Sequence, residues 1–207
     1  MLDWLGSEGD MIAGAFRRVL RRDGTPFGSS ALRWGGMHDA TEGVQWNAGM
    51  DPRLPERWVS VNLEGLRYDG WPLARLIRKE MLRPTLPALA LGSTRLATVR
   101  MSMDREFWTG RNRVHWESIA DLPLADITES EWRRVLSEAR NCLASPGGGR
   151  SRASFVSKTG AQVFAESTPH LAFRVTASEV DDWERFIRDG FDCLDPLYDW
   201  TEKRAGA

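Results

Sequence analysis

The sequence predicts an α+β fold: an antiparallel or mixed sheet built from hairpins and covered by about four helices. Two observations carry that expectation. Segments with apolar residues at helical spacing, each opened by a start signal, alternate with paired segments whose apolar and polar residues alternate one by one. The paired segments are joined by short stretches rich in Pro, Gly or Asp, which antiparallel neighbours permit and parallel ones do not.

The first helix is expected over 10–22. Ser7 followed by Asp10 opens it, Gly24 ends it, and Ile12, Phe16, Val19 and Leu20 form its apolar stripe. Strands at 44–50 and 57–64 alternate well and flank a Pro-containing turn over 51–56. Pro72 suits a first helical turn, and Leu73, Ile77 and Met81 recur at four-residue spacing, giving a helix over 72–82. The apolar run 87–92 reads as a strand. Segments 98–104 and 113–119 form a second hairpin across Gly110. Thr128 with Glu131 is a capping box for a helix over 128–143 that buries Trp132, Val135, Leu136 and Ala139. A third hairpin, 153–158 with 161–166, turns at Thr159-Gly160, and a strand follows at 170–176. Ser178 with Asp181 opens the last helix, 178–194, with Val180, Trp183, Ile187, Phe191 and Leu194 inward and a kink expected at Gly190. A Gly-rich loop at 144–152 separates the last hairpin and helix from the rest, but some sixty residues are too few to count as a second domain, so one domain is expected.

Composition narrows the class without naming an activity. At 207 residues, with 42% hydrophobic and 28% charged side chains, the chain can bury one sizeable core. No apolar run approaches a membrane span, and the acidic first ten residues lack the basic and apolar parts of a secretory leader. Two cysteines cannot make a disulfide framework, so a cytoplasmic, bacterial protein is expected. From residue 177 onward nine acidic residues stand against four basic ones, so this segment carries −5 and the remainder +4 of the total −1. Such an acidic helix can dock on a basic surface, although a solvated face explains it as well.

Most catalytic signatures are missing. Gly147-Gly148-Gly149 is followed by no Gly-Lys-Ser/Thr and is no phosphate loop. Lys158-Thr159-Gly160 matches one β-lactamase motif, yet the chain has no Ser-x-x-Lys, and a hairpin turn explains the triplet better. There is no Gly-x-Ser-x-Gly, Cys-x-x-Cys or His-Glu-x-x-His.

Two places remain. In the hairpin 42–64, a turn centred near Arg53 and Leu54 sets Met50 opposite Trp58 and Val44 opposite Glu64, which gathers His38, Asp39, Glu42 and Glu64 at its open end. On one face of that hairpin lie Gln45, Asn47, Ser60 and Asn62, uncharged groups that strands disfavour and that suit hydrogen bonding to a ligand or to the rest of the protein. The element order, helix, hairpin, helix and the apolar strand 87–92, is similar in layout to restriction-type nuclease cores. That layout implies Mg²⁺ or Mn²⁺ held by Asp39, Glu42 and Glu64, with His38 as a further ligand. The Glu-x-Lys of such sites is absent, since Gly65-Leu66 follows Glu64, so an arginine, Arg57 or Arg67, is the expected neutraliser. The second place is the turn 107–116. There Arg111, Arg113 and His115 lie beside tryptophans, with Arg113, His115 and Glu117 on one strand face and Arg100 opposite. Basic groups among aromatics suit single-stranded nucleic acid or an acidic partner; a solvated hairpin with its tryptophans in the core is the bland alternative.

The leading expectation is a non-catalytic binding or interaction protein without cofactor. Its binding residues are Gln45, Asn47, Asn62, Arg111, Arg113 and His115, and its partner is a nucleic acid or another protein. The alternatives are a metal-dependent phosphodiesterase on Asp39, Glu42 and Glu64, and a structural subunit whose exposed tryptophans are oligomer contacts.

Overall fold

A computed structural model describes residues 2–29, 33–39, 43–51, 56–64, 72–109, 112–143, 151–157 and 159–206; at Trp4, Glu64, Asn112, Ser151 and Arg152 only the backbone is described. In chain order the elements are α1 (Ser7–Leu20), β1 (Thr25–Ser29), β2 (Trp34–His38), β3 (Val44–Asp51), β4 (Glu56–Glu64), α2 (Pro72–Leu82), α3 (Leu86–Leu91), β5 (Arg100–Thr109), β6 (Asn112–Pro123), α4 (Glu129–Asn141), β7 (Ser151–Val156), β8 (Gln162–Ala177) and α5 (Trp183–Ala205). The fold is α+β, and its strands are hairpin-built and antiparallel, as the sequence predicts. The chain divides into two compact units, Met1–Asn62 with Phe173–Asp199, and Leu63–Ala172 with Trp200–Ala207.

In the first unit the strand order is β1-β2-β3-β4, with β4 beside β8. The hairpin β1–β2 escapes sequence reading because Pro26, Gly28, Gly35 and Gly36 interrupt any alternation, and Gly28 pairs with Gly35. Every residue of β3 is buried. Its Trp46 meets α5, lying 4.3 Å from Phe191 and stacking on Tyr198 at 4.8 Å. Phe191 in turn meets Phe16 of α1 edge-on at 6.0 Å. The kink expected at Gly190 does not occur, for α5 runs through it unbroken. Glycine stands there because a Cβ would lie 2.7 Å from Val59 Cβ. The helix also starts later than 178, because Asp182 is the capping residue, its carboxylate accepting from the Arg185 N–H at 3.0 Å. Likewise α1 stops before Gly24, at Arg21 in the left-handed region, whose N–H bonds to Arg17 O at 2.8 Å. Glu8 in its first turn is held by Arg57 at 2.9 Å.

In the second unit the order is β8-β5-β6, with β7 also paired to β8. The run 87–92, expected as a strand, is part of a helix. Pro87 sits in the first turn of α3, and the free N–H groups of Thr85 and Leu86 donate to Glu80 Oε2 at 2.9 and 3.2 Å. That correction removes the fourth element from the nuclease-like layout. The Glu80 carboxylate is fully buried. It also accepts from Trp132 Nε1 of α4 at 2.9 Å and from the Thr85 hydroxyl at 2.7 Å. Arg204 lies 2.8 Å from its Oε1. The end of α5 is tied down around the same point. Trp200 Nε1 donates to Thr85 Oγ1 at 2.8 Å, Arg75 to Ala205 O at 2.8 Å and Lys79 to Gly206 O at 2.9 Å. The capping box of α4 is as expected, with Thr128 accepting from the Glu131 N–H at 3.2 Å. Both β5 and β6 are longer than the segments 98–104 and 113–119, and the strand expected at 170–176 is the second half of the continuous β8. The loop 144–150 lies outside the described residues.

Because the Glu80 carboxyl is fully buried against Arg204, removing the arginine strands it in a dry core. Arg204→Met is therefore expected to cost about 3 kcal/mol. Urea unfolding measures it; a loss indistinguishable from that of Arg185→Met, an exposed control, would refute the role given to the pair.

Candidate functional site

The carboxylate end of the first hairpin is occupied by the protein's own groups. Asp39 follows β2 with its side chain only 2% exposed, and its counter-ion is Arg22; Arg57 holds Glu8. Asp39 Oδ1 also accepts from the Trp46 N–H at 2.8 Å, and its own N–H donates to Trp46 O at 3.2 Å, so the residue closes the β2–β3 hairpin. Burial pushes its carboxyl above the ordinary aspartate range, and the Trp46 N–H and Arg22 offset this only in part. His38 pairs across the ladder with Thr25 and Asn47, and its ring lies 5.7 Å from Phe27. Glu42 and the side chain of Glu64 lie outside the described residues, as does Arg67. Among the described residues no group of three His, Cys, Asp or Glu is placed to hold a metal ion.

The amide row is brought together, with a register one residue from that expected. The ring of Trp58 lies on Gly49, where a Cβ would come within 2.7 Å of it, so Gly49 rather than Met50 shares its face. By alternation Gln45 and Asn47 then share a face with Ser60 and Asn62, opposite the residues that meet α5. Gln45, Asn47 and Ser60 are buried and Asn62 half-buried. The Asn47 side-chain amide donates to Gln45 O at 3.5 Å, the outer limit of a bond. Asn62 Oδ1 is buried and has no partner among the described residues.

The second hairpin is arranged differently from the expectation. Arg100 pairs with Pro123 at the far end of the strands, where its guanidinium meets Asp121 at 3.1 Å. His115 pairs with Phe107 but Arg113 with Trp108, with a register shift between them that skips Val114. Since Phe107 and Trp108 point to opposite faces, the bulge at Val114 puts Arg113 and His115 on opposite faces too. His115 turns inward, stacked on Phe155 at 4.4 Å and 5.3 Å from the buried Phe107. Its Nε2 is 3.5 Å from Glu117 Oε1. Arg113 reaches the buried carboxylate of Glu106 at 2.5 Å, and Trp108 Nε1 donates to the same group at 3.2 Å. Arg111 lies outside the described residues.

Sequence reasoning missed Glu106, the internal anion that engages Arg113. In the structure Trp116 pairs with Glu106 and is 56% exposed, beside an exposed Val114. On β7 and β8, Phe155 faces Phe107, while Val156 and Phe164 point the other way into solvent. The Cys142 thiol offers no nucleophile of note, since burial pushes it up to about 11. Compared with known proteins, the chain matches no family model, no curated protein and no solved structure.

Two stability measurements test this placement. Asp39→Ala leaves the Trp46 N–H without its acceptor and is expected to cost about 1–3 kcal/mol. Asp39→Asn keeps that acceptor. Because the folded state raises the Asp39 pKa, its stabilising contribution is present below the ordinary aspartate range and lost as pH rises through the raised value. Asp39→Asn should therefore match or exceed wild type at neutral pH and lose that advantage on acidification; the reverse trend in pH-dependent unfolding would show the carboxylate to be favoured by its site. Separately, Asn62→Leu removes an orphaned acceptor and is expected to stabilise the fold by about 1 kcal/mol. A loss in the same urea assay would mean that Oδ1 holds a bound donor.

Proposed function

We propose that the chain is a non-catalytic interaction protein, acting in the cytoplasm, that receives a protein partner on the β5–β6 hairpin. The observation that carries this reading is Trp116, 56% exposed on a terminal strand with Val114 beside it. Large aromatics half in solvent are the residues that anchor protein interfaces when desolvated. Exposed Phe164 and Val156 on the β7–β8 hairpin support the same reading.

A polyanion is less well matched to this hairpin. The charge of Arg113 is already answered by Glu106 and that of Arg100 by Asp121, so a phosphate would have to compete with internal carboxylates for both. No helix among the described residues is long and apolar enough to cross a membrane. Neither Cys142 nor Cys193 is in a disulfide, which suits the reducing compartment proposed.

The test is site-specific photo-crosslinking in cell extract, with the reactive residue at Trp116 and, as a control, at the exposed Arg185. A discrete adduct at 116 that is absent at 185 is expected. No adduct at 116, together with low-salt binding to single-stranded DNA or RNA that falls with Arg111→Ala, would replace the protein partner with a nucleic acid.

A further inference from the structure

We propose that the partner at this hairpin is a second copy of the chain, whose β6 adds to β6 in antiparallel register centred on Trp116. The inference rests on the reading above that the hairpin is an interaction surface. It adds the identity of the occupant and the alignment.

The edge itself calls for a strand. In the order β8-β5-β6 the outer side of β6 is terminal, so no described strand lies along the outer side of residues 115–118. Native edges are usually blunted by lysine, proline or bulges. β6 has register shifts that skip Val114 and Ile119, but residues 115–118 between them pair without interruption with 104–107. That unbroken run contains no lysine or proline, and its central residue is the half-exposed Trp116.

The side chains then select the occupant and the register. Centred on Trp116, an antiparallel copy sets Trp116 against Trp116, so each apolar ring covers the other. His115 of each copy falls opposite Glu117 of the other. An imidazole donates a ring N–H to a carboxylate in either charge state, so the pair is complementary twice over. Both side chains are partly exposed, at 35% for His115 and 46% for Glu117. Centring on Glu117 would oppose two carboxylates. Centring on His115 would need Arg113 opposite Glu117, but the bulge has turned Arg113 to the other face, where Glu106 holds it. A ladder this short buries little area, so association is expected to be weak and concentration-dependent.

Sedimentation equilibrium of the full chain across a wide concentration range reads the assembly. The mass is expected to rise from one chain toward two. Trp116→Lys should remain a single chain at every concentration with unchanged thermal stability. Register is read by oxidation in a Cys193→Ser background: Trp116→Cys faces itself and should form a disulfide-linked dimer, whereas Ser118→Cys faces residue 114 and should not. A constant single-chain mass for the wild type, or equal trapping at 116 and 118, overturns the proposal. A single-chain mass with a crosslinked foreign protein at 116 rejects the second copy but leaves the interaction reading standing; a single-chain mass with no adduct rejects both.

Discussion

A carboxylate sealed from water must be met on every side, and in the second unit that requirement fixes several elements at once. Glu80 leaves α2 at a point where solvent cannot reach it. Its oxygens are met by two backbone N–H groups, a hydroxyl, an indole and a guanidinium, from four residues in three segments. The two N–H groups begin α3, the indole is that of Trp132 in the first turn of α4, and the guanidinium belongs to the last turn of α5. Thr85 extends the network, its single hydroxyl giving its proton to Glu80 and accepting from Trp200 and Arg204. Hydrophobic burial would let these helices slide. A buried charge with five directional partners allows one arrangement, because any slippage strands a donor or the carboxylate itself.

The first unit reaches definition by steric means instead. There the packing turns on residues that have no side chain: Gly190 lets α5 approach Val59, and Gly49 lets Trp58 lie flat against the strand. Around them the rings of Phe16, Trp46, Phe191 and Tyr198 fill the layer between sheet and helices. The polar face of the same strands carries Gln45, Asn47 and Ser60 into burial, with a guanidinium–carboxylate pair, Arg22 and Asp39, closing the hairpin that precedes them.

What was legible in the sequence follows from these two mechanisms. Helices whose signals are local could be read: the capping box of Thr128 and the four-residue stripe of α2 depend only on neighbours in sequence, and both stand. Signals that depend on a distant partner could not. The apolar run 87–92 looks like a strand until a carboxylate from α2 caps it as a helix. Gly190 looks like a kink until Val59 is seen to need the space. β1 and β2 show no alternation because glycines occupy the positions where pattern would be read. At the hairpin end of the first unit, the partners of Asp39, Arg22 and the Trp46 amide, are set by a turn and a helix end that spacing does not reveal.

The β5–β6 hairpin shows how little sequence change separates two surfaces of opposite character. Read as a regular strand, β6 would send Arg113 and His115 together to one side and hide Trp116 in the core. One extra residue, Val114, reverses the parity between them. Arg113 is thereby spent on the buried Glu106, His115 turns inward onto Phe155, and the indole of Trp116 is left facing solvent. Arg113, one of the charges that made the turn look like an anion-binding site, is engaged by Glu106, while an aromatic group that looked structural faces solvent. The bulge at Val114 therefore decides which side chains this strand turns to solvent.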